Sequence, residues 1–275
     1  MGAGRIVRVR RGIRRWWHRR RAIATETLRT WIWSPRPMRL EYAPQEIWLQ
    51  VTSDEERRYR LRNPDKEPWT IDWLHQYVRR GDVLFDIGAN VGVFSLIAAM
   101  EAGARVFAFE PGFANYARLC ENIHLNGCAK TITPLPWLLA HTAGLFPFEY
   151  RSLSPGQSRH VMGDGSEPPP ADNGLVYVQP MAGISIDRAI ELFSLPVPTH
   201  IKLDVDGAEA LVLAGAEATL CRPELRSVLV EATAETGQEV TARLVRAGLH
   251  LARSHAREKP GAPWYGVFER ATAAS

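Results

Sequence analysis

Lys202, Asp204, Asp206 and Glu209 put one cation and three acids within a few residues of each other. Lys202, Asp204 and Asp206 have the same parity, so on an extended strand they share a face. A carboxylate within hydrogen-bond reach of a hydroxyl serves as a general base, and one slightly further away anchors a substrate. Asp204 or Asp206 is therefore the expected base or anchor. Asp206 suits the cap of a helix starting at Gly207 equally well, and Glu209 suits a local ion pair. Glu231, further along, could face the same cleft. Three separated carboxylates are a poor basis for a metal site, so none is expected.

A second stretch, Asp86-Ile87-Gly88-Ala89-Asn90-Val91-Gly92, has turn residues directly after an acid. Glycine lets the backbone pass close to a ligand and turn into a helix. The spacing is not GxGxxG, and the acid at the strand end suits a cationic or amine-bearing ligand better than a diphosphate. Glu110, in Glu110-Pro111, follows Gly88 by 22 residues. An acid at that distance is placed to accept hydrogen bonds from ribose hydroxyls. A ribose on Glu110 with a non-phosphate group near Asp86 and Gly88 describes S-adenosylmethionine better than NAD.

These residues need a frame that brings strand ends together. Val83-Leu84-Phe85 reads as a buried strand, followed by a helix over about 91–102. Arg105–Phe109 reads as the next strand, Phe113–Asn126 as a helix stopped by Gly127, and Thr131–Leu135 as a third strand. A helix precedes them from Pro68 through Ile71, Leu74 and Tyr77. This is βαβαβ, the pattern of a doubly wound parallel sheet. Residues 144–198 are less regular, with a strand expected near 175–178 and a helix over 185–195. A strand at 200–205, a helix over 207–220, a strand at 227–231 and a helix over 236–247 follow. Two last strands, near 249–253 and 264–268, suggest a closing hairpin around Pro260-Gly261. The expected fold is α/β, a Rossmann-like doubly wound, mostly parallel sheet. His75, His124, His141 and His200 read as structural or surface residues. The Asn/Asp-Pro-Pro-aromatic motif of many amino-methylating enzymes is absent.

Residues 82–92, Phe109-Glu110-Pro111, Glu121-Asn122-Ile123-His124-Leu125-Asn126-Gly127 and Ile201-Lys202-Leu203-Asp204-Val205-Asp206-Gly207-Ala208-Glu209 together resemble the FkbM-type methyltransferases. The resemblance covers about 68–231. It implies a class I, S-adenosylmethionine-dependent enzyme with a seven-stranded sheet and a reversed C-terminal hairpin. Such enzymes are mostly assigned as O-methyltransferases of sugars, lipids or polyketide-like products. By position it implies that Asp86, Gly88, Ala89, Asn90 and Gly92 line the methionine moiety, that Glu110 holds the ribose, and that Pro111, Trp137 and Leu138 border the adenine. Asp206 stands where the family more usually has glutamate. This keeps the charge and shortens the reach.

The chain of 275 residues has 34 basic and 30 acidic side chains. Nine arginines and no acid fall within residues 1–22, so the body is net acidic and gives no general argument for nucleic-acid binding. Ile6, Val9, Ile13 and Trp16 recur at helical steps in that basic arm. It reads either as an amphipathic helix on an anionic membrane or as a disordered tail, with nucleic acid a weaker third reading. Residues 23–67, with Trp31, Trp33 and Trp48, read as an extension covering the core, and 68–275 as the catalytic domain. Three cysteines without CxxC spacing point to a reducing cytoplasm. No run reaches the length of a membrane span. The expected activity is O-methylation of a small-molecule or glycan acceptor, with peripheral contact with the inner membrane face as an option. The alternatives are a non-catalytic cofactor-binding protein and an RNA methyltransferase recruited by the arm. The oligomeric state is not legible.

Overall fold

The computed structural model describes residues 35–271 apart from 43, 55, 159, 164–174 and 257–262. The basic arm, Trp31, Trp33 and the Pro260-Gly261 turn lie outside the described residues. The described chain opens with an antiparallel pair, β1 (Arg36–Arg39) and β2 (Trp48–Val51), then a π-helical turn (Glu56–Arg60) and the short α1 (Asn63–Lys66). Helix α2 (Pro68–Tyr77) starts on a proline, whose missing N–H has no intrahelical partner to lose at that position.

Next come β3 (Val83–Ile87), α3 (Val93–Ile97) with its π-helical continuation (Ala98–Ala102), β4 (Arg105–Phe109), α4 (Phe113–Leu125) and β5 (Ile132–Leu135). Past β5 the chain makes β6 (Leu138–Leu139), β7 (Gly144–Tyr150), β8 (Val161–Met162) and β9 (Tyr177–Ile184). It returns through α5 (Ile186–Phe193), β10 (His200–Leu203), α6 (Glu209–Ala214), α7 (Glu217–Leu220), β11 (Ser227–Ala232), α8 (Gly237–Arg246), β12 (Leu249–Ala256) and β13 (Trp264–Arg270).

The main sheet has seven strands in the order β12-β13-β11-β10-β3-β4-β5. Strands β11, β10, β3, β4 and β5 run parallel, and β13 enters antiparallel between β11 and β12. The fold class and the reversed hairpin expected from the sequence are both present. Alternation along the strands divides the core in two. Leu84, Val106 and Leu229 pack on one face with Trp73, Leu96, Leu119 and the extension residues Leu49 and Leu61. Phe85, Phe107, Ile201 and Val228 pack on the other with Val212 and Leu244.

Two expectations are corrected. The described residues of 144–162 and 177–184 are more ordered than they read: β6, β9, β7 and β8 form a second, four-stranded sheet beside the carboxyl edge of the first. The helix expected over 207–220 is broken at Gly215. The carbonyl of Gly215 accepts from Asp187 N–H at the start of α5, and a Cβ there would lie 2.2 Å from the Ala140 oxygen. Ala218 N–H and Thr219 N–H donate to the Asp187 carboxylate at 2.9 and 2.8 Å instead of continuing the ladder past Gly215. No helix among the described residues is long and apolar enough to cross a membrane.

Candidate active site

The order of β3 and its neighbours creates a switch point. From β3 the chain proceeds outward to β4 and β5, then returns to lay β10 on the other side. Crevices outside the carboxyl ends of such strands are where α/β sheets bind ligands. A cleft of about 900 Å³, including its open mouth, lies there.

Its floor is the turn after β3. Gly88 has φ +79°, and both Gly88 N–H and Ala89 N–H donate to the Phe109 carbonyl at 3.0 Å, tying the ends of β3 and β4 together. Asn90 follows with φ +52°, a conformation asparagine tolerates better than most residues. Gly88, Ala89, Asn90, Glu110, Pro111, Trp137, Leu138, Lys202, Asp204 and Asp206 all line the cleft. The Glu110 carboxylate is buried and accepts from Asn90 N–H and Gly112 N–H, both at 2.8 Å. Burial drives its pKa up to about 7, against the pull of those two amides. Phe109, Pro111, Trp137 and Leu138 form an apolar wall beside it.

Three expected site residues are not among those lining the cleft. Asp86 is paired across the sheet with Lys202 and buried beneath the turn. Ser95 Oγ donates to one of its oxygens at 2.5 Å, and Lys202 Nζ stands 3.6 Å from the other. Gly92 ends the turn with φ +89°, where a Cβ would meet Leu119. Glu209 turns back on its own loop and accepts from Val205 N–H and Gly207 N–H at 3.2 and 3.0 Å. Burial pushes its pKa up to about 7.

The cluster expected to be catalytic is therefore split. Lys202 Nζ donates to Asp204 Oδ2 at 3.2 Å, as their shared face requires. Burial works against the Lys202 charge, but Asp204 and Asp86 outweigh it and hold the ammonium above its ordinary range. Burial likewise opposes the Asp204 charge, and Lys202 with a hydrogen bond from Glu231 overcomes it, so Asp204 is held below its ordinary value. Asp206 does not continue the strand alternation: the strand stops at Leu203, and Asp206 sits exposed on the rim with φ +51°.

Several lining residues carried no signal in the sequence. Arg60 reaches the cleft from the π-helical turn, Glu67 from the start of α2, and Gln157, Ser158 and His160 from the strand-poor segment after β7. The segment through Gln157 straps the cleft. Its Gln157 carbonyl accepts from Asn90 Nδ2 (2.8 Å) and Asn115 Nδ2 (3.0 Å), while Arg60 Nε donates to the Gly156 carbonyl (2.7 Å). His160 packs against Phe148 and Tyr150, and burial lowers its pKa to about 4, so its imidazole is neutral at pH 7. His200 lies elsewhere, buried between Asp82 and Ser227.

A family profile described as the methyltransferase FkbM domain matches residues 86–252, from the turn of this cleft to β12. The chain belongs to the FkbM methyltransferase family. The hexuronic acid methyltransferase AglP of Haloferax volcanii is 31% identical over 179 residues, spanning 65% of this chain and 68% of that protein. The methyltransferase sdnD of Sordaria araneosa is 26% identical over 208 residues, spanning 64% and 77%. The 31-O-demethyl-FK506 methyltransferase FkbM of Streptomyces tacrolimicus is 50% identical over 46 residues, spanning 16% and 18%. The FkbM profile thus covers both strand ends of the cleft, β3 with its turn and β10 with Asp204. The strap at Gln157 also falls within it.

Proposed function

We propose that this FkbM methyltransferase transfers the methyl group of S-adenosylmethionine to a hydroxyl of a sugar or sugar acid, with Asp204 receiving the hydroxyl proton. The observation that carries the reading is the pairing, in one cleft, of a buried acid at the end of β4 with an ionised one just past β10.

The donor set fits the cofactor. Glu110 offers its remaining lone pairs to the ribose hydroxyls, while its two backbone donors fix the carboxylate plane. The apolar wall of Phe109, Pro111, Trp137 and Leu138 suits an adenine ring. The turn at Gly88, Ala89 and Asn90 borders the amino-acid end, and the acids of the cleft favour a cation. S-adenosylmethionine, when bound, supplies a methyl group on a positively charged sulfur. An acceptor hydroxyl aligned opposite that group forms the C–O bond as the C–S bond breaks. Its proton passes to Asp204 and the C–S electron pair stays on sulfur. Asp204 and Lys202 orient the acceptor oxygen, and that alignment is the main contribution of such a site. The sugar acceptor is supported by the likeness to AglP, whose name specifies a hexuronic acid.

The test has two stages. Calorimetric titration with S-adenosylhomocysteine, with NAD as control, should show binding to the former alone. The protein is then incubated with S-adenosylmethionine and a panel of neutral and uronic-acid glycosides, with RNA included. A methyl group on a glycoside that survives mild base is an ether and supports the reading. A base-labile methyl would be a carboxyl ester and would move the acceptor atom. Methylated RNA would replace the substrate class.

A further inference from the structure

Asp204 does not stand alone. Strands β10 and β11 are parallel, with Leu203 opposite Val230, so the next residues, Asp204 just past the end of β10 and Glu231 still within β11, lie side by side. On the far side of β11, Glu231 lies directly opposite Tyr265 of β13 in the antiparallel ladder. Tyr265 Oη donates to Glu231 Oε1 at 2.6 Å. Asp204 lines the cleft, whereas Glu231 and Tyr265 are not among its lining residues and sit behind it. Three adjacent strands thus deliver a row of three side chains running from the sheet interior towards the substrate.

We propose that Glu231, held by Tyr265, is a positioning residue that donates a hydrogen bond to Asp204 and keeps that carboxylate ionised and aimed into the cleft. The inference rests on the reading of Asp204 as proton acceptor. Two carboxyl groups this close cannot both be charged in a buried setting, so one proton is shared between them. Burial and the Asp204 charge place that proton on Glu231. Tyr265 fills one Glu231 oxygen as a donor, which leaves the acid proton on the other side, towards Asp204. Lys202 supports Asp204 from its own strand at 3.2 Å. The other charged groups acting on the pair are Arg60 in the π-helical turn, Glu209 at the head of α6 and Glu67 before α2. Glu231 therefore makes Asp204 a defined acceptor in a site where burial alone would protonate it.

The pairing is measurable without an acceptor. In the full chain labelled with 13Cγ-aspartate, the Asp204 resonance is assigned by its loss in Asp204→Asn and followed by NMR as a function of pH. In Glu231→Ala the Asp204 midpoint is expected to rise by about one pH unit or more, because a donor to a charged acceptor is lost. Glu231→Gln, which keeps an N–H donor and the side-chain shape, should hold the midpoint near that of the parent. Tyr265→Phe, which frees Glu231 to turn away, should give an intermediate rise. An unchanged midpoint in Glu231→Ala overturns the proposal, as does an equal rise in Glu231→Gln. Binding of S-adenosylhomocysteine by each variant verifies that the fold is kept. Once a glycoside acceptor is in hand, Glu231→Ala should lower kcat with little change in KM and move the acid limb of the pH profile upward. Full turnover by Asp204→Asn would remove Asp204 as base yet leave the NMR test of the pair standing, so the two readings fail separately.

Discussion

Gly88 faces the backbone carbonyl of Asp204 so closely that a Cβ on Gly88 would lie 1.8 Å from that oxygen. The proposed cofactor turn and the proposed base are thus in backbone contact across the switch point. A side chain at residue 88 has to push β10 away from β3. We expect Gly88→Ala to cost about 2–4 kcal/mol in denaturant unfolding and to abolish binding of S-adenosylhomocysteine. Gly127 is the control. It also has positive φ (+67°) but nothing within 4 Å of a Cβ. Gly127→Ala should cost about 1 kcal/mol and leave binding intact. Equal losses for the two would show that the Gly88 contact is unimportant.

With Glu110 as the proposed ribose acceptor, ligand binding is expected to be sensitive to pH. Its pKa of about 7 in the free protein is set by burial, and ribose hydroxyls donating to it favour the ionised form. Below pH 7 the ligand must displace a proton. The Kd for S-adenosylhomocysteine should rise about tenfold per pH unit there and be flat above it. Glu110→Ala should weaken binding by about 10- to 100-fold at pH 8. Calorimetry between pH 5.5 and 8.5 decides, and a flat parent profile would separate Glu110 from the ribose.

Glu209 is expected to act on stability instead of catalysis. Its folded pKa of about 7 is raised from 4.5 by burial, so its contribution is fully present below pH 4.5 and is lost as the pH rises through 7. By linkage this amounts to about 3 kcal/mol. Glu209→Gln keeps an acceptor for Val205 N–H and Gly207 N–H without the buried charge. Urea unfolding at pH 4.5 and pH 8 should show a smaller decline for this variant than for the parent. Identical declines would contradict the assignment.

The Gln157 strap predicts a kinetic effect. Asn115 bonds it twice, donating to the Gln157 carbonyl at 3.0 Å and accepting from Gly156 N–H at 2.8 Å. Each bond is worth about 1 kcal/mol. Asn115→Ala should speed release of S-adenosylhomocysteine by about tenfold with a smaller effect on association. Stopped-flow displacement measures this, and an unchanged release rate would mean the strap does not retain the ligand.

The parts of the fold written in local patterns were legible. Val83–Ile87 and Arg105–Phe109 are short apolar runs bounded by turns, and Gly127 stops α4 with a backbone angle glycine favours. The spacing from Gly88 to Glu110 brought both into one cleft because a strand-turn-helix-strand unit has nearly constant length. The second sheet was hidden. Pro147 and Pro180 face each other across β7 and β9 and make both strands read as irregular. The break at Gly215 depends on Asp187, far away in sequence, whose N–H donates to the Gly215 carbonyl. Arg60, Asn115, Gln157 and His160 meet at the cleft only through tertiary packing. A sequence also does not say which way a carboxylate turns. Asp86 and Glu209 had the right type and position, but one is engaged by Ser95 and Lys202 and the other by its own loop.

The reversed hairpin has a consequence for biosynthesis. Strand β13 is the last element of the described chain, yet it lies inside the sheet, between β11 and β12. While the chain is emerging from the ribosome, every parallel strand is complete before β13 exists. During that interval β11, with its buried run Ser227–Val230, offers an open edge to any other strand nearby. Closing that edge is the same event that brings Tyr265 behind Glu231, so β11 ceases to be an open edge at the moment the proposed proton acceptor is completed.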